Sequence, residues 1–69
     1  MPVAMAPKKA TPWTAKRIKA LRDRLDLSQA QAAERIGASR ATWISWEHGR
    51  REPSAASSRL LTLLNEEKI

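Results

Sequence analysis

Apolar residues recur along this chain at spacings of three and four. Ile18, Leu21 and Leu25 form one stripe, and Ala32, Ala33 and Ile36 a second. Trp43 and Trp46 form a third, and Ala56, Leu60, Leu63 and Leu64 a fourth. Such spacings place each set on one face of a helix. No run alternates with the period of two that marks a half-buried strand. The pattern predicts an all-α domain, a compact bundle of four to five helices.

Polar punctuation sets the expected boundaries. Thr14 is an N-cap, with Trp13 before it and Ile18 at the fourth helical position spaced for a hydrophobic staple; this first helix ends near Asp26. Leu27 is expected to drop into the core between the first two helices. Ser28 and Gln31 have the spacing of a capping box, so a second helix runs from about Gln29 to Ile36. Gly37 follows, where a left-handed residue ends a helix at no steric cost. Ser39 caps a third helix from about Arg40 to His48, and Gly49 stops it. Ser54 caps a fourth, which runs through about Glu67. Residues 1–12 carry Pro2, Pro7 and Pro12 with Lys8 and Lys9, and read as a flexible basic arm ahead of a folded domain at 13–69.

Composition narrows the chemistry. The absence of cysteine excludes disulfides and thiolate metal sites, and His48 alone cannot build a structural zinc site. One histidine and no inward carboxylate pair leave no catalytic constellation, so neither an enzyme nor a cofactor is expected. The net charge is +6, from 13 Lys and Arg against 7 Asp and Glu. Up to Arg24 the bases are Lys8, Lys9, Lys16, Arg17, Lys19, Arg22 and Arg24, and Asp23 is the sole acid. Such a surface is drawn to polyanions, through counterion release where the partner is nucleic acid, although it is also compatible with a merely solvated basic face. No apolar run approaches the roughly 20 residues of a membrane span. The opening MPVAMAP is too short for a secretory leader and lacks its charged region, so a cytoplasmic protein is expected. A chain of 69 residues has little core to spare, so its stability must come from packing and good caps, with self-association as a further source open to it.

The second and third helices, about residues 29–48, are short and joined by a turn of about 3–4 residues, as in a helix-turn-helix. Arg22, Leu27-Ser28-Gln29, Ala33, Gly37, Ser39 and Trp46-Glu47-x-Gly49 carry a close resemblance. Over about residues 14–66 the chain resembles the Cro-like phage-repressor (XRE) helix-turn-helix family, whose fold is lambda-repressor-like. The resemblance implies a regulator that binds double-stranded DNA sequence-specifically. It would act as a small repressor or autorepressor, reading inverted half-sites as a homodimer. Phage and mobile-element regulators, including anti-CRISPR-associated repressors, are of this type.

The same resemblance assigns roles. Arg22 and Glu47 match a buried ion pair. Gln29 matches a phosphate anchor at the start of the second helix. The outward residues Arg40, Ala41, Ile44 and Ser45 of the third helix would touch bases, with Arg40 suited to the bidentate contact with guanine. Ser39, Thr42, Arg50, Arg51, Lys8 and Lys9 would lie near phosphates, although Thr42, Arg50 and Arg51 also suit plain solvent exposure. Trp43 stands where the family commonly has Ile or Val. Ile44 stands where it has a small polar residue, and suits either a thymine methyl or a protein interface. The tryptophans could stack on single-stranded bases, but their helical spacing argues for the core. Leu61, at the edge of the fourth stripe, is placed for a second subunit; the fifth helix that the family uses for dimers has no counterpart in this pattern. The rival reading is an antitoxin whose main task is to bind a partner protein, through residues 1–12 or the end of the fourth helix.

Overall fold

The structure is a computed structural model and describes residues 13–69. The expected basic arm, with Lys8 and Lys9, lies outside the described residues. Among the described residues there are four helices and no strand: α1 (Ala15–Arg24), α2 (Gln29–Arg35), α3 (Arg40–Glu47) and α4 (Ala55–Asn65).

Every helix begins on a side-chain cap. The Thr14 hydroxyl accepts from the Arg17 N–H at 3.2 Å, Ser39 from Thr42 at 3.0 Å, and Ser54 from Ser57 at 3.1 Å. At α2 the box is reciprocal: Ser28 Oγ accepts from the Gln31 N–H at 3.0 Å, and Gln31 Oε1 accepts from the Ser28 N–H at 2.8 Å. Each such cap contributes about 1 kcal/mol.

Every helix also ends in the same way, with the residue after the C-cap left-handed and two amides turned back to the last carbonyls. At α2, Gly37 N–H reaches Glu34 O at 3.2 Å and Ala38 N–H reaches Ala33 O at 2.9 Å. At α3, Gly49 N–H reaches Trp46 O at 3.1 Å and Arg50 N–H reaches Ser45 O at 2.9 Å. This is the Schellman arrangement, and the φ of 74° at both glycines is what it requires. A Cβ at either glycine would meet nothing within 4 Å, so the demand is conformational and not one of space.

At α1 and α4 the left-handed position is held by Asp26 (φ 58°) and Glu67 (φ 59°) instead. With no glycine to mark them, both helices read longer in the sequence than they are: α1 stops at Arg24 rather than near Asp26, and α4 at Asn65 rather than Glu67. Arg24 ties these two ends together, donating to the Asn65 carbonyl at 2.8 Å and to Glu67 Oε2 at 3.3 Å.

The core gathers one face of each helix. Trp43, Ile18, Leu61 and Leu64 are its largest fully buried side chains, with Trp13, Leu21, Ile36 and Trp46 around them. Buried Ala32 and Ala33 lie on the face that α2 turns inward, where small side chains let helices approach closely. Leu25, Leu27 and Ala38 pack on the core from its margin. All three tryptophans are buried, so none offers a free ring for base stacking. The rings of Trp43 and Trp46 sit 5.7 Å apart, tilted by 52°, within the range that aromatic pairs prefer. Trp13 closes the bundle: its indole N–H donates to Thr62 Oγ1 at 3.1 Å, and the Arg17 guanidinium lies 4.6 Å from its ring centre.

The rotation of α4 differs from that expected. Its buried residues are Ser58, Leu61 and Leu64; Leu60 and Leu63 are half-buried and Ala56 is exposed. Leu61 has no exposed surface at all, so it is a core residue and not a subunit contact. Leucines at 60, 61, 63 and 64 span a wide arc of the helix. Apolar spacing places the centre of that arc wrongly because Ser58, a polar residue, belongs to the buried side.

Candidate nucleic-acid interface

The relation of α2 to α3 is held by one carboxylate. Glu47, in the last turn of α3, has a side chain only 4% exposed. Its Oε2 accepts from Arg22 Nε at 2.6 Å and from Trp43 Nε1 at 2.6 Å. Its Oε1 accepts from Arg22 Nη2 at 3.1 Å and from Gln29 Nε2 at 3.2 Å. A carboxylate offers about four lone-pair positions, and here four donors from α1, α2 and α3 occupy them. Arg22 Nη1 also reaches the Leu27 carbonyl at 3.1 Å, which holds the chain entering α2.

Burial pushes the Glu47 carboxyl up. Hydrogen bonds from Arg22, Trp43 and Gln29, with the attraction of the Arg22 charge, outweigh that and leave it below the usual carboxylate range. Arg22 is raised, first by its hydrogen bond to Glu47. Exposed Asp23 is lowered, first by its hydrogen bond from Lys19 at 2.9 Å.

With Trp43 and Trp46 turned inward, α3 presents its opposite side. Arg40 and Ala41 are exposed, and Thr42, Ile44 and Ser45 are half-buried. Ser45 is less available than a free hydroxyl, because its Oγ donates to the Thr42 carbonyl at 2.7 Å and so meets a ligand only as an acceptor. Ser39 Oγ accepts the Thr42 N–H and pairs with Thr42 Oγ1 at 2.9 Å, so its first task is the cap. Gln29 is half-buried, with part of its amide committed to Glu47. Arg50 and Arg51 are exposed, and among the described residues neither they nor Arg40 makes an ion pair.

Thr42 and Arg51 are brought together in a cleft of about 200 Å³, shared with Trp46, Glu52, Ser54 and Ser57. The cleft joins α3 to the start of α4. Sequence reading gave Ser54 only a capping role and did not single out Ser57. For Trp43 the sequence offers the core or base stacking but no link to Glu47, although the two stand at i and i+4 on α3, the spacing at which helical side chains meet.

Residues 14–65 match the family model of a helix-turn-helix domain, of the Cro-like class. No curated protein matches the chain, and no solved structure does. No helix among the described residues is long and apolar enough to cross a membrane.

Proposed function

We propose that this chain, which belongs to the helix-turn-helix domain family, is a sequence-specific regulator of transcription that represses by occupying double-stranded DNA. The observation that carries this reading is the exposed side of α3. Arg40 and Ala41 project from a short helix whose other side is locked by Trp43, Trp46 and Glu47. A rigid helix with an arginine at its start is suited to the major groove, and the guanidinium fork matches guanine O6 and N7. Ala41 and Ile44 offer methyl groups to thymine. Thr42 in the first turn of α3, with Gln29, Ser39, Arg50 and Arg51 around it, supplies phosphate contacts that set register. The cleft that holds Thr42 and Arg51 at the start of α4 supports that assignment for these two.

One module of this size reads few bases, and we assign it a homodimer on inverted half-sites, acting in the cytoplasm. With Leu61 in the core, the surface for the second subunit is the side of α4 that carries half-buried Leu60 and Leu63 beside exposed Ala56. The test is selection from random duplexes followed by a footprint on the DNA upstream of its own gene. The expected result is protection of two inverted half-sites about one helical turn apart. Binding without sequence preference, or to single strands alone, overturns the reading.

A further inference from the structure

We propose that Trp43 is a positioning residue for Gln29: its indole N–H fixes the Glu47 carboxylate from within the core, so that Oε1 holds the Gln29 amide in one orientation. The inference rests on the proposed DNA contact of Gln29 and extends it inward to a residue that touches no ligand.

The geometry carries the argument. Glu47 takes four donors on two oxygens, and the Trp43 N–H at 2.6 Å is among the shortest of these contacts. Arg22 grips both oxygens, but it comes on a long side chain that is 16% exposed. Apart from Gln29 itself, what else steadies the ion pair is the Arg22 Nη1 bond to the Leu27 carbonyl, about which it can still turn. Trp43 is fully buried, and its ring cannot follow such a movement. Its bond to Oε2 therefore fixes where the pair sits, and so where Oε1 meets Gln29 Nε2 at 3.2 Å. One amide proton of Gln29 is held by that bond. The second proton and the amide oxygen remain for a ligand, already oriented. Loss of the indole N–H opens an acceptor position on Oε2. Gln29 can then swing between the two oxygens or leave both, and binding must order the side chain again.

The experiment compares Trp43→Phe, Gln29→Ala and the double variant in the whole chain. The free protein is read by NMR of the Gln29 side-chain amide, and affinity is read on the duplex obtained by selection. In the wild type the two Gln29 amide protons should be distinct and slow to exchange; in Trp43→Phe they should move toward free-glutamine values. Affinity should fall about three- to tenfold in each single variant, the scale of one hydrogen bond, and the double variant should bind within about twofold of Gln29→Ala. Should the smaller phenyl ring unfold the domain, a benzothienylalanine at position 43 keeps the bicyclic volume and lacks only the N–H. Unchanged Gln29 amide signals overturn the proposal, as do losses that multiply in the double variant. Full affinity in Gln29→Ala also overturns it, while leaving the DNA reading to stand on Arg40. A wild-type protein that binds no duplex overturns the DNA reading and Gln29's phosphate role with it. The amide signals still report separately on the link from Trp43 to Gln29.

Discussion

Arg22 and Glu47, 25 residues apart in sequence, are joined by two hydrogen bonds, Nε to Oε2 at 2.6 Å and Nη2 to Oε1 at 3.1 Å. The pair fastens α1 to the end of α3. Removal of one partner strands the other's charge in a place with little water, and for buried pairs that is strongly destabilising. Arg22→Ala should cost about 3 kcal/mol, the low end for such a loss, because Trp43 and Gln29 still donate to Glu47. Arg22→Ala/Glu47→Ala should recover part of it. Chemical denaturation of the three variants checks this. A loss below about 1 kcal/mol would mean that the pair behaves as an exposed one.

The lowered Glu47 carboxyl has a pH signature. The folded state binds the proton less tightly than the unfolded chain, whose carboxyl titrates near the ordinary value of 4.5. The contribution of Glu47 is therefore complete above that value and is lost as pH falls through the lower folded one. Stability should be level around neutrality and decline with acid below about pH 4.5. Glu47→Gln should start less stable and show a shallower decline. An equal decline in both proteins would assign the acid sensitivity to other carboxylates.

Arg40 is exposed at the start of α3. Arg40→Ala should lose about 1–3 kcal/mol of specific binding and relax preference at one base pair per half-site. Titration of the selected duplex and its single-base variants separates the two roles. An equal loss on every DNA would make Arg40 a phosphate contact.

Arg51 lines the cleft between α3 and α4 with Thr42 and Ser54. If it neutralises a phosphate there, Arg51→Ala should weaken binding about equally on all sequences and reduce the salt slope by about one unit. Affinities measured across a range of salt concentrations give that slope directly, and an unchanged slope would leave Arg51 in solvent.

Asp26 sits at φ 58° in the left-handed position that ends α1. An L-residue pays a steric penalty there that glycine avoids. Asp26→Gly should stabilise the domain by about 0.5–1 kcal/mol, net of glycine's greater freedom in the unfolded chain. Thermal unfolding should show a midpoint higher by several degrees. An unchanged or lower midpoint would mean that the Asp26 side chain contributes more than its backbone loses.

What the sequence alone determined was local. Caps join residues three apart, so Thr14, Ser28 with Gln31, Ser39 and Ser54 marked all four helix starts, and Gly37 and Gly49 marked two of the four ends. The ends at Asp26 and Glu67 escaped because their left-handed turns lack the residue type that advertises them. Tertiary structure decided what depends on distant partners. The rotation of α4 goes with the bond from Trp13 to Thr62, 49 positions away, and with a buried serine among leucines, which together put Leu61 inside and leave Leu60 and Leu63 at the margin. The amide of Gln29 joins the indole of Trp43 on Glu47 only once α2 has packed on α3, and Arg22 only once α1 has joined them. Apolar periodicity reports which side chains avoid water; it carries no information about where a polar atom on a buried ring will find its acceptor.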